Sequence, residues 1–313
     1  MSLTFTSQPS ALVSLSSLEQ AILSTLAYSD VFDHPLTLEE LHKFLMVPAT
    51  QAEIADCISG MDSVMSNNGY YFLLHRDEIV DIRRARELNS IHAFRRARFY
   101  GRMLGRLPFI RMVALTGSLA MLNLSKNRDM DYMLVARVGR VWMARAFALL
   151  IGRLARVFGD IICPNVIVSE NVLAWNAKNL YTAREFAQMI PVTGEETYHR
   201  LCAANLWIYD ILPNADMKSE DFFKPGKDHV VVFQKLTEIF FGGKYGDLLE
   251  SWEMNRKIAR FKKQKGYGVE TNFSADICQG NFDHHGAWAL KAYEERLISL
   301  SLGARGRSEG VEL

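Results

Sequence analysis

One stretch limits what this chain can fold into more than any other. Residues 112–136 read MVALTGSLAMLNLSKNRDMDYMLVA, two apolar runs separated by a Gly-Ser pair and an Asp-x-Asp. The pattern predicts a strand over 112–115, a tight turn at Gly117-Ser118, a short helix, a loop, and a second strand that opens with Asp129 and Asp131 and runs through 136. Alternate side chains of a strand share a face. Asp129 and Asp131 therefore point the same way, and Met130 points into a core. Two carboxylates so close repel each other and need a positive partner. A divalent metal is the usual one, and Mg²⁺ takes one or two carboxylates plus phosphate oxygens. Gly117 lets the backbone approach a ligand closely, and the amides and the Ser118 hydroxyl at a helix start suit phosphate oxygens.

Taken together, the motif is Gly-Ser, ten residues, then D-x-D, with an apolar strand on each side. This resembles the nucleotidyltransferases of the DNA polymerase β superfamily, whose signature is hydrophobic-G-[GS], a spacer, then D-x-D-hydrophobic. The resemblance implies that Asp129 and Asp131 hold Mg²⁺ or Mn²⁺, and that Gly117 and Ser118 hold the phosphates of a nucleoside triphosphate substrate. A hydroxyl on RNA, a protein or a small molecule would then attack the α-phosphate. The family carries a third carboxylate on a following strand, often the base toward that hydroxyl. Here that strand is expected over 161–169, IICPNVIVS, with Asn165 inside it and no acid. Asp160, just before it, ranks ahead of Glu170, just after it, as the third catalytic acid.

The 313 residues allow one to three domains, and 49% hydrophobic with 23% charged content is ordinary for a globular protein. A net charge of +1 marks no global field for nucleic acid or membrane. Four scattered cysteines without C-x-x-C spacing argue against a disulfide framework and fit a reducing, cytoplasmic setting. No signal peptide is evident, and arginines break the apolar run near 144–151, so no membrane association is expected.

Along the chain, residues 1–13 read as a loose arm. Three helices follow, capped at Ser16-Ser17, Thr37 and Thr50, the last with Glu53 in a capping-box pattern. Asn67-Asn68-Gly69 then marks a hairpin turn. Three helices and a hairpin over 14–76 resemble a winged helix. Its third helix, TQAEIADCISGM, holds two acids and no Lys or Arg, which favours protein contact or packing over reading DNA. A connecting helix over 77–108 carries Arg95, Arg98, Arg102 and Arg106 on one face, either a solvated face or a phosphate-facing stripe for an anionic acceptor such as nucleic acid.

The nucleotidyltransferase core is expected over 109–173 and a helical domain over 174–302, with a disordered tail at 303–313. A further helix over 139–158 brings Arg140 and Arg145 nearest the motif. The run YTAREFAQM…ANLWIYDILPN resembles a stretch that follows the core in a group of bacterial nucleotidyltransferase-like proteins. Tyr181 and Arg184 in it are candidates for base stacking and phosphate contact. The expected fold class is thus α/β (α+β): a winged-helix-like domain, a polymerase-β-type core with a mixed sheet, and a helical domain. The expected function is Mg-dependent nucleotidyl transfer. The alternative is a catalytically degenerate nucleotide-binding or winged-helix regulatory protein.

Overall fold

The first three helices each begin with a hydroxyl residue followed three positions later by glutamate. Ser16 with Glu19, Thr37 with Glu40 and Thr50 with Glu53 all close reciprocal capping boxes, satisfying amides that a helix start leaves open. The computed structural model describes residues 15–124, 129–217 and 232–308, apart from the side chains of 233 and 302–308. The N-terminal arm and the polar linker read at 219–227 lie outside these residues.

In chain order the elements are α1 (Ser17–Asp30), α2 (Leu38–Phe44), α3 (Gln51–Ser59), β1 (Val64–Asn67), β2 (Tyr70–Leu73), α4 (Glu78–Gly105), β3 (Ile110–Thr116), α5 (Gly117–Ala120), β4 (Asp129–Ala136) and α6 (Val141–Val157). Then come β5 (Ile161–Ser169), α7 (Leu180–Gln188), β6 (Ile190–Thr193), α8 (Glu195–Ala203), α9 (Ile208–Ile211), α10 (Val232–Phe240), α11 (Lys244–Phe261), β7 (Thr271–Phe273), β8 (Ile277–Gly280) and α12 (His285–Ser308). They fold as two units. The first takes the chain up to Arg84, Ile208–Asp216 and the chain from Gly286; the second takes Ala85–Trp207 and Met217–His285.

In the first unit α1–α3 precede an antiparallel hairpin, β1 with β2, registered from Val64↔Leu73 to Asn67↔Tyr70. Asn68 and Gly69 take φ of 54° and 82°, as a two-residue hairpin turn requires. Ile22, Leu26, Leu41, Phe44, Ile54 and Phe72 are buried. Its buried acids are matched by cations. Asp30 lies 2.7 Å from both Arg76 and Arg296. Arg83 forks onto the two oxygens of Glu40 at 2.6 and 2.9 Å. Burial alone would raise the Glu40 pKa, but hydrogen bonds with His34 and Arg83 outweigh it and hold the carboxyl well below its usual range.

The second unit is built on a six-stranded mixed sheet in the order β6-β3-β4-β5-β8-β7. β4 and β5 are parallel, with α6 as the crossover, and the other pairs are antiparallel. The stretch expected as one helical domain, 174–302, differs from that reading. It supplies β6, β7 and β8 to this sheet, and Ile208–Asp216 and the chain from Gly286 belong to the first unit. Pro191 reads as a helix stop, yet it sits inside β6. An edge strand tolerates it, since β6 pairs with β3 alone. β7 and β8 are too short to show alternation. The tail expected to be disordered from 303 continues α12 to Ser308.

The sheet's two faces separate cleanly. Val113, Leu115, Met130, Tyr132 and Leu134 pack in one core with Ala97 and Leu104 of α4 and Trp142 and Ala148 of α6. The Tyr132 hydroxyl donates to the Ala97 carbonyl at 2.7 Å. The intervening residues, Asp131, Met133 and Val135, pair with Thr116, Ala114 and Met112 and face the other way. The D-x-D carboxylates therefore leave the sheet from the face opposite α4 and α6. The α4 arginine stripe lies on the wrong side to meet them: Arg95, Arg102 and Arg106 are exposed and Arg98 half-buried, a solvated face.

Candidate functional site

β3 ends at Thr116, directly opposite Asp131. The next residue, Gly117, turns the chain with φ of 66°. A β-carbon there would lie 2.5 Å from Asp131 Oδ2. Both the left-handed backbone and the abutting carboxylate therefore demand glycine. Ser118 follows, exposed, on the single turn of α5. Its carbonyl accepts the amide of Asn123 at 2.8 Å, which closes the turn.

Asp129 stands two residues before Asp131 on the same face of β4. Its Oδ1 is buried and has no hydrogen-bond partner among the described residues. Asp131 Oδ1 accepts Asn165 Nδ2 at 2.6 Å. A bulge brings Asn165 there: Pro164 lies opposite Tyr132 and Val166 opposite Met133, so Asn165 is the extra residue of β5. Burial, and then the neighbouring charge of Asp129, push the Asp131 carboxyl up to about 6, with Asn165 and His285 opposing.

Two expected site residues are displaced. Asp160 does not join the pair. It is buried, 1% exposed, in an ion pair with Arg96 of α4. The register gives the reason: Ile161 lies opposite Asp129 and Cys163 opposite Asp131, so a residue at 160 has the parity of Met130 and Tyr132. Glu170 lies past the far end of β5, where its amide donates to Ala136. The β5 position beside Asp131 is Cys163, whose thiol burial pushes up to about 11, with Asp131 and Asp129 adding to the effect. Arg140 and Arg145 are also engaged elsewhere. Arg140 pairs with Asp247 at 2.6 Å, and the Arg145 guanidinium lies 5.1 Å over the Phe261 ring.

The acid that does meet the motif is Glu185, which the sequence reading passed over. The Gly117 amide donates to its carboxylate, and Gln188 Nε2 donates to Glu185 Oε1 at 2.6 Å. Burial and the charge of Asp131 push Glu185 up to about 7. Asn179 caps α7 by accepting the Thr182 amide at 2.9 Å. On that helix Tyr181 is half-buried and Arg184 buried, so the guanidinium is not open to a phosphate. Glu185 follows Arg184 but lies about 100° further round the helix.

Among the described residues no three or more His, Cys, Asp and Glu side chains gather as a group that could hold a metal ion. Asp129 and Asp131 nonetheless fit a hard cation: two carboxylates in mutual repulsion, one with an orphaned buried oxygen. Among the described residues no helix is long and apolar enough to cross a membrane. Compared with family models, with curated proteins and with solved structures, the chain matches none.

Proposed function

We propose that the second unit is a nucleotidyltransferase core of the polymerase β type, moving a nucleoside monophosphate from a triphosphate to a hydroxyl acceptor. The observation that carries this reading is the wedge of Asp131 against Gly117, with Asp129 beside it on one face. A strand-end glycine turn and an Asp-x-Asp pair are here one structure, not two coincidental motifs. Asp129 and Asp131 would hold Mg²⁺ or Mn²⁺, which when bound neutralises phosphate charge and orients the triphosphate. The Gly117 turn and the exposed Ser118 next to it would contact phosphate oxygens.

Glu185 takes the part that Asp160 cannot. It reaches Gly117 and Asp131 from α7, and in this reading it accepts the proton of the attacking hydroxyl. Asn165 orients Asp131 through their 2.6 Å hydrogen bond. The three helices and hairpin of the first unit are read as a winged-helix-like module for protein contact, given the acidic surface of α3.

A second reading has its own support. Cys163 occupies the strand position beside Asp131 where the family places its third acid. Glu185 also already holds the Gly117 amide. Both fit a chain that binds nucleotide without turning it over. The deciding experiment incubates the protein with each of four α-labelled triphosphates, Mg²⁺ or Mn²⁺ and total cell RNA and protein. Transfer predicts labelled acceptor that disappears in Asp131→Asn and Glu185→Gln. Nucleotide retained on the protein with no labelled acceptor establishes the binding reading instead.

A further inference from the structure

Two helices of the second unit are turned inside out. α10 meets the sheet through its polar side chains. Gln234, 6% exposed, donates to the Leu107 carbonyl at 2.9 Å, and Glu238 accepts both the Phe109 amide and the Arg111 guanidinium. α11 does the same. Glu250 accepts the amides of Trp142 and Met143 at 2.7 and 2.8 Å, capping the start of α6. Each helix also leaves four apolar residues exposed, although Met254, Ile258 and Phe261 further along α11 pack against the core. Val232, Leu236, Ile239 and Phe240 are exposed on α10, Phe240 by 77%. Tyr245, Leu248, Leu249 and Trp252 are exposed on α11, Tyr245 by 83% and Trp252 by 61%. The spacings of four, three and one on α10, and of three, one and three on α11, are those of a helix stripe made for burial.

We propose that this α10–α11 face is the contact between two copies of the chain. The area suits it. The eight side chains present on the order of 1,000 Å² per copy, against roughly 800 Å² per partner in a standard interface. The chemistry suits a second copy as well. Fully buried homodimer patches are depleted in charge. The exposed ions at the two stripes are Lys235, Lys244 and Arg256, the last lying over the Trp252 ring and paired to Glu253, with Asp247 paired to Arg140. A chain of net charge +1 repels its own copy only weakly.

The test is sedimentation equilibrium of the full chain from 1 to 100 μM. The expected mass is twice 35.6 kDa. Leu248→Asp and, separately, Ile239→Asp should each weaken the dimer at least a hundredfold while circular dichroism and the melting curve stay those of a folded chain. Both positions are exposed, so folding should survive. A wild-type chain that stays monomeric to 100 μM overturns the proposal. So does a dimer whose dissociation constant neither variant changes, or a monomer that floats with anionic vesicles. Nucleotide transfer by either variant is a separate question, since neither residue belongs to the Gly117–Asp131 site.

Discussion

The first unit and the Gly117 site of the second treat their carboxylates in opposite ways. In the first, Asp30 sits between two guanidinium groups and Glu40 is gripped by Arg83 and His34. In the second, the charges that raise Asp131 and Glu185 are other carboxylates, and Asp129 keeps an oxygen with no hydrogen-bond partner among the described residues. A buried acid that has been matched by a cation is finished as structure. A group of acids left in mutual repulsion costs stability, and it persists where a ligand relieves it. The first arrangement stabilises a fold, whereas the second is what the proposed cation site requires.

That contrast can be broken from either side. The largest effect expected is in the first unit. Arg83→Ala removes a buried guanidinium and leaves the half-buried Glu40 without it, which should cost roughly 3 kcal/mol, read as a lower urea midpoint for that unit. The pH dependence should also have opposite signs. The Glu40 carboxyl is held below the ordinary glutamate value of 4.5, so its contribution is present above that pH and is lost as pH falls. Asp131 and Glu185 are raised from 3.8 to about 6 and from 4.5 to about 7. Their folded forms hold protons more tightly than their unfolded forms, so stability is full below about pH 4 and declines as pH rises through 6 to 7.

Asp131→Asn should therefore stabilise the second unit at pH 7.5 by about 2 kcal/mol and leave it unchanged near pH 4. Equal effects at both pH values would show that the acids are not in conflict. Mg²⁺ at ten times its dissociation constant should add about 1.4 kcal/mol to the wild type at pH 7.5 and nothing to Asp131→Asn, followed by thermal melts. The smallest effect belongs to local structure. Thr50→Ala removes a helix cap and should cost about 1 kcal/mol at any pH between 5 and 9.

What the sequence disclosed was local. The helix cap at Thr37, the capping box at Thr50, the Asn68-Gly69 turn and the shared face of Asp129 and Asp131 each depend on spacings of a few residues, and each is found in the structure. What it hid depends on register and on distant chain. Asp160 was misplaced by the parity of β5 against β4, which one strand's composition does not reveal. Asn165 reached Asp131 because of a bulge. Glu185 came to the motif because β6, a four-residue edge strand containing proline, pairs with β3 and brings α7 to the turn. No periodicity in residues 174–194 foretells that pairing. The exposed apolar residues of α10 and α11 were not legible as such either, because it is the inward contacts of Gln234, Glu238 and Glu250 that show which side is turned in.

The central claim is that the acids at the Gly117 turn are unsatisfied until a cation and a polyphosphate arrive. The direct measurement is a carbon-detected NMR titration of the Asp131 and Glu185 carboxyls, made first on the free protein and then with Mg²⁺ and a non-hydrolysable nucleoside triphosphate. The account predicts raised midpoints in the free protein, and a fall of the Asp131 midpoint below its ordinary range once both are added. Midpoints that begin at ordinary values, or that do not move on addition, would contradict it.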